Sequence, residues 1–144
     1  MIFPAFSLKD QDGKLRGLDE FKDRKFLVIY FYPRDNTPGC TIEAKQFTDA
    51  LGDFHSLGVE VMGVSTQSPK SHQDFCFKHD LKLILLSDED KILIKELGIS
   101  GKVLGFAKRT TYLVKPDGEI VNIWKDVSPI GHAKAVLEYV KSQL

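Results

Sequence analysis

Only two cysteines occur among the 144 residues, Cys40 and Cys76. They do not form a Cys-x-x-Cys pair, which argues against a dithiol oxidoreductase. A glycine-rich phosphate loop is also missing, so nothing in the chain points to a nucleotide. Neither sign of charge is in excess: Lys+Arg and Asp+Glu are both 20, for a formal net charge of +0. That balance removes the electrostatic drive toward nucleic acid or an anionic membrane surface. Apolar runs fall well short of the ~20 residues a membrane-spanning helix needs. Met1 to Phe6 carry neither a basic nor a long apolar stretch, so no signal peptide is expected and the reading is a cytoplasmic protein. Internal repeats, low-complexity tracts and linkers are absent, and residues 1–144 read as one domain.

A hydrophobic content of 42% is enough to build a core at this length. Phe6-Ser7-Leu8, a turn at Asp10 to Gly13, and Leu15 read as an N-terminal hairpin. Phe26 to Tyr32 is a continuous run of strand formers, the pattern of a central strand buried on both faces, and Pro33 ends it. From Cys40 onward Ala44, Phe47 and Leu51 recur at helical spacing, loosening near Gly52 and Asp53. Val59 to Val64 predicts a second strand. Ser68-Pro69 supplies an N-cap and a proline at the first helical position for a helix reaching about His79. Leu83 to Leu86 predicts a third strand, Lys91 to Leu97 a short helix, and Thr111–Val114 with Ile120–Trp124 a hairpin around Lys115 to Gly118. A last helix runs from about Gly131 to Ser142. The order is that of an α/β protein with a mixed central sheet flanked by helices, and a thioredoxin-like fold fits it.

The chemistry concentrates between Tyr32 and Glu43. This segment joins the central strand to a helix with Cys40 at its N-terminus, where free backbone N–H groups and the macrodipole favour negative charge on sulfur. Gly39 has no Cβ and lets a small ligand approach the backbone. Thr37 offers a hydroxyl three residues before the sulfur, and Pro33 and Pro38 restrict the loop. The alternative is a Pro/Gly/Asn turn that happens to precede a helix carrying a buried cysteine. Residue chemistry leaves both open.

Pro33-x-x-x-Thr37-x-x-Cys40 resembles the peroxiredoxin active-site pattern, and Phe31-Tyr32-Pro33…Asn36-Thr37-Pro38-Gly39-Cys40-Thr41 is similar to its PrxQ, or bacterioferritin-comigratory, branch. The similarity extends to Phe6-Ser7-Leu8, to Arg109-x-Thr111-Tyr112-Leu113-Val114 with Pro116-Asp117-Gly118, and to Gly131-His132-Ala133. The resemblance implies a thioredoxin-fold thiol peroxidase, monomeric in this branch, reducing hydrogen peroxide and organic hydroperoxides to water and alcohols. It implies no metal, haem or flavin. Cys40 is then the peroxidatic cysteine, Thr37 orients the peroxide and Pro33 shields the oxidised sulfur. Arg109 stabilises the thiolate and the departing oxygen, Glu43 helps hold Arg109, and the N–H groups of Gly39 and Cys40 complete the pocket. A thioredoxin- or glutaredoxin-like reductant supplies the electrons. A redox sensor that signals through Cys40 is the rival of a different class.

Many members of this branch place a resolving cysteine five residues after the first, where this chain has Lys45. Others place it in the next helix, which implies an intrachain Cys40–Cys76 disulfide. The alternative is that Cys76 packs beside Phe75 and Phe77, leaving a one-cysteine enzyme. His72, Cys76 and His79 fall on neighbouring helical faces, but the sequence places no fourth ligand for zinc, and histidines at a surface or helix end are the reading adopted. His132 reads as structural, and Trp124 as core.

Overall fold

The Phe26 run forms a strand in which every residue is buried, and it lies in the interior of a seven-stranded sheet. In the computed structural model, residues 1–102 and 104–144 are described. Their order is β1 (Leu8–Lys9), β2 (Leu15–Arg16), β3 (Phe26–Phe31), α1 (Pro38–Ser56), β4 (Val59–Ser65), α2 (Pro69–His79), β5 (Ile84–Ser87), α3 (Ile92–Glu96), β6 (Thr110–Val114), β7 (Ile120–Trp124) and α4 (His132–Ser142), with one 3-10 turn at Leu18–Phe21. Across the sheet they run β2-β1-β5-β4-β3-β6-β7. β3, β4 and β5 are parallel, while β6, β7 and the β1–β2 hairpin are antiparallel to their neighbours. The sheet is therefore mixed, as the element order implies.

Alternation along β3 assigns its side chains to two cores, because successive residues of a strand face opposite sides. Val28, Tyr30 and the following Tyr32 pack with Phe47 and Phe54 of α1, Phe75 of α2 and Val136 of α4. Leu27, Ile29 and Phe31 pack on the other face with Phe3 and with Leu93 and Ile94 of α3. The Tyr30 ring has room only because Gly63 lies opposite it in β4. A Cβ on Gly63 would stand 2.8 Å from Tyr30 Cζ and 2.8 Å from Leu85 Cδ2.

Register also decides what meets at the C-terminal end of β3. Antiparallel pairing sets Phe31 against Thr110, so Arg109 arrives beside the loop that leaves β3. Parallel pairing sets Phe31 against Val64, so the chain leaving β4 toward α2 arrives on the other side. The carboxyl ends of parallel strands are where α/β sheets place ligands.

Several boundaries shift from the sequence reading. Helix α1 starts at Pro38, two residues before Cys40, and it runs past Gly52 and Asp53 to Ser56 because Phe54 is fully buried. The short helix narrows to Ile92–Glu96, with Lys91 left-handed at its start (φ 61°). The third strand moves one residue on, to Ile84–Ser87, and Phe6 lies outside the hairpin strands. Trp124 is half-buried at the margin of the core, edge-on to His132 and Tyr139. Ser68 caps α2 as expected, its Oγ accepting from the Ser71 N–H at 3.1 Å.

Candidate active site

Thr37 occupies the N-cap of α1, so Pro38, Gly39 and Cys40 are its first three helical residues. The first ladder bond is Thr41 N–H to the Thr37 carbonyl at 2.9 Å. Proline has no N–H, which leaves the N–H groups of Gly39 and Cys40 outside the ladder at the positive end of a 19-residue helix. The Thr37 hydroxyl does not cap the helix; it donates to the Arg34 carbonyl at 3.1 Å, and the Thr41 hydroxyl donates to the Thr37 carbonyl at 2.8 Å.

Cys40 is buried, and its Sγ accepts a hydrogen bond from Arg109 Nη2 at 3.4 Å. The other arm of that guanidinium, Nη1, donates to Glu43 Oε1 at 2.7 Å. Glu43 follows Cys40 by three residues, so both lie on one face of α1, and its side chain is wholly buried. One arginine therefore bridges the sulfur and a buried carboxylate. Gly39 adjoins the same group: a Cβ there would lie 3.3 Å from Arg109 Nη2 and 3.4 Å from Pro129 Cγ.

The charges follow from this packing. Burial disfavours the Arg109 cation, but the negative charges of Glu43 and Cys40 outweigh it and hold its pKa above the ordinary value. Burial pushes the Glu43 carboxyl up to about 7, against the pull of Arg109. Glu43 Oε2 and Tyr30 Oη are buried without a hydrogen-bond partner. Burial, followed by the charges of Glu43, Cys40 and Cys76, raises the Tyr30 phenol well above its usual pKa, so it stays a neutral hydroxyl. His132 Nε2 lies 2.8 Å from Thr111 Oγ1. Burial and the Arg109 charge take its pKa down to about 4, leaving a neutral ring that wedges edge-on against Phe47 and Trp124.

The structure thus brings together Cys40, Gly39, Arg109 and Glu43, with Thr37 at the helix start. Pro33 ends β3 at the loop's entrance and is half-buried. Cys76 is also a free thiol, half-buried on the same side of the sheet as Cys40. Burial, then the charges of Asp35 and Asp12, push its thiol up to about 12. Phe75 is buried beside it, but Phe77 is 90% exposed, so the picture of Cys76 packed between two core phenylalanines holds for one of them only.

Asp35 and His72 change most from the sequence reading. His72 is fully buried, where a surface or helix-end position was expected. It is buried because both ring nitrogens meet acceptors: Nδ1 lies 2.7 Å from Asp35 Oδ2, and Nε2 lies 3.0 Å from the Leu86 carbonyl. Asp35, in the loop before Thr37, also accepts from Tyr32 Oη at 2.6 Å and Ser71 Oγ at 2.7 Å. Burial opposes the Asp35 carboxylate, but these partners, His72 foremost, hold its pKa below the ordinary aspartate value. His79 stands edge-on to Phe75. Among the described residues no cluster of three potential metal ligands forms.

A thiol held by an arginine at a helix N-terminus, on a mixed sheet of this topology, defines a class, and the sequence comparisons agree. The chain belongs to the AhpC/TSA family, whose model matches residues 2–123. Within it the chain falls among the Bcp and PrxQ peroxiredoxins. It is 43% identical to Peroxiredoxin Bcp of Xanthomonas campestris pv. campestris, over 81% of this chain and 77% of that one. It is 36% identical to Peroxiredoxin Bcp of Escherichia coli, over 97% and 93%. Among solved structures, a variant of Xylella fastidiosa PrxQ superposes with a TM-score of 0.91 at 33% identity, covering 99% of this chain and 96% of that one. A structure of Xanthomonas campestris bacterioferritin comigratory protein, solved for insight into its alkyl peroxide reduction activity, gives 0.89 at 35%, covering 96% and 91%. Two solved variants of Xanthomonas campestris Peroxiredoxin Q each lack one cysteine, and the two replaced positions are as far apart as Cys40 and Cys76.

Proposed function

We propose that this thiol peroxidase works through Cys40 as its peroxidatic nucleophile and Cys76 as its resolving thiol. The observation that carries the first assignment is the Arg109 guanidinium, hydrogen-bonded at once to Cys40 Sγ and to buried Glu43. The Cys40 thiolate attacks one oxygen of the peroxide bond. An S–O bond forms, the O–O bond breaks, and sulfur gives up two electrons. The other oxygen leaves as alkoxide or hydroxide and takes a proton to become alcohol or water. Arg109 and the free N–H groups at the helix start oppose the negative charge that passes from sulfur to the leaving oxygen, without reorganising as it moves. Glu43 keeps the guanidinium in register, Gly39 leaves it room, Thr37 presents a hydroxyl at the entrance and Pro33 shields the oxidised sulfur.

Cys76 then attacks the Cys40 sulfenic acid: an S–S bond forms, the S–O bond breaks, and hydroxide departs with the thiol proton as water. The matching cysteine separation in the Xanthomonas campestris protein supports this pairing. A thioredoxin- or glutaredoxin-like dithiol restores both thiols by exchange. Hydrogen peroxide and alkyl hydroperoxides are the substrates of this reading. Its further parts are one domain over residues 1–144, a monomer and a cytoplasmic location, which sedimentation and cell fractionation test.

Turnover assays test the scheme. With a thioredoxin system as electron donor, Cys40→Ser abolishes peroxide consumption. Cys76→Ser consumes one equivalent and stops with Cys40 oxidised. Full turnover by Cys76→Ser would make this a one-cysteine enzyme. Oxidation of wild type without catalytic turnover would favour a sensor.

A further inference from the structure

Helix α2, which carries Cys76, is fastened to the loop that carries the peroxidatic residues through one buried carboxylate. Asp35 Oδ2 accepts from Ser71 Oγ at 2.7 Å and pairs with His72 Nδ1 at 2.7 Å, while Gln67 Oε1 accepts from the Asp35 N–H at 3.3 Å. His72 Nε2 ties the same turn to the Leu86 carbonyl of β5. Cys76 lies one helical turn beyond His72, on the same face of α2. His72 and Phe75 are the only buried residues of α2, so the polar tie is one of its two main anchors. Past it the helix ends weakly, with Phe77 in solvent and non-glycine Asp80 left-handed at the C-cap (φ 52°).

We propose that Asp35, Ser71 and His72 form a clamp holding α2 folded against the peroxidatic loop, and that release of this clamp sets how fast Cys76 reaches oxidised Cys40. The proposal rests on the reading of Cys76 as the resolving thiol. In its packed position Cys76 is a poor attacker, since burial and the nearby Asp35 charge keep its proton on while exchange needs a thiolate. Bonding to Cys40 takes it out of that position, and the turn of α2 immediately before it is the one Asp35 holds. Asp35 also precedes Cys40 by five residues, so one release frees the helix and loosens the loop together. These three are positioning residues; none touches the sulfur.

Rapid mixing with stoichiometric peroxide, followed by alkylation and mass spectrometry, separates loss of the Cys40 thiol from formation of the disulfide. A hydrogen bond to a charged group stabilises the clamped state enough that Ser71→Ala speeds disulfide formation about tenfold if opening precedes it. Oxidation of Cys40 stays at the wild-type rate in this variant. His72→Phe, which lacks both ring donors, gives a larger acceleration. His72→Asn, which keeps a donor toward Asp35, returns most of the way to wild type. Amide exchange over residues 73–79 rises in the same order. Ser71 is half-buried and its alanine variant gives up only the hydroxyl's bond to Asp35, a smaller loss than His72→Phe, so the test survives if His72→Phe does not fold. Unchanged or slower disulfide formation in Ser71→Ala, with a Cys40–Cys76 disulfide present in wild type, overturns the clamp alone. Absence of that disulfide in wild type overturns the clamp and the reading beneath it.

Discussion

Replacing Arg109 with methionine has two consequences that the geometry keeps separable. The first is catalytic. Arg109 is the one side chain donating to Cys40 Sγ among the described residues, and losing a fixed donor of this kind lowers the rate of the chemical step about 10²–10³-fold. The second concerns stability and depends on pH through Glu43. Its folded pKa of about 7 lies above the ordinary glutamate value of 4.5, so ionising it works against folding. That burden is absent below pH 4.5, grows as pH rises toward 7, and amounts to about 3 kcal/mol above it. Arg109 is the group holding the Glu43 pKa down. In Arg109→Met the carboxyl titrates still higher, and the burden continues to grow above pH 7. Near pH 5.5 Glu43 is mostly protonated in both proteins, and the variant loses little more than a hydrogen bond, about 1–2 kcal/mol. At pH 8.5 it is destabilised by about 3–5 kcal/mol, the range for a buried charge stripped of its partner. Urea denaturation at the two pH values reads this divergence directly. The double variant Arg109→Met/Glu43→Gln removes the buried charge, recovering most of the stability at pH 8.5 and none of the peroxide reactivity. Reactivity of Arg109→Met within fivefold of wild type would remove Arg109 from the chemical step, and a stability loss independent of pH would remove Glu43 as its cause.

Other perturbations test separate links. Gly39→Ala crowds Arg109 Nη2 at 3.3 Å while favouring the helix, so thermal stability holds or rises slightly and kcat/KM for peroxide falls about three- to tenfold. Gly63→Ala sets a methyl 2.8 Å from Tyr30 and Leu85 deep in the core, and thermal unfolding should show a loss of about 1–3 kcal/mol. Asp35→Asn destabilises by about 3 kcal/mol at pH 7. Because the folded Asp35 pKa is depressed, its contribution is full above the ordinary aspartate value of 3.8. It fades as pH falls through the folded value, so the gap between Asp35→Asn and wild type in denaturant titrations closes in acid.

Local signals made the first half of the proposed chemistry readable. Cys40 at a helix N-terminus, Gly39 before it and Pro33 and Pro38 in the loop follow one another in sequence, and the buried run at Phe26 announces the strand they leave. The family resemblance then favours a nucleophile over a buried core cysteine. Arg109 came from family resemblance; only the β3–β6 register explains why it arrives at the sulfur, and register cannot be read from one strand. His72 was hidden for a similar reason. Its partner Asp35 lies 37 positions away, and a polar residue on a short helix reads as solvated unless the facing carboxylate is known. Phe77 misled in the opposite sense: an aromatic beside a cysteine suggests core, but two positions on from buried Phe75 the helix turns it to the outer face of α2. The ends of α1 and α3 moved because tertiary contacts, such as burial of Phe54, outweigh a local Gly-Asp signal.

The central claim is that Cys40 takes the peroxide oxygen and Cys76 resolves it within the same chain. Its most direct test is peptide mapping by mass spectrometry after one equivalent of peroxide. Wild type is expected to lose two hydrogens as a monomeric Cys40–Cys76 disulfide, Cys76→Ser to carry one added oxygen on Cys40, and Cys40→Ser to stay reduced. Peroxide consumption by Cys40→Ser, or a wild-type Cys40 that remains a thiol, would contradict it.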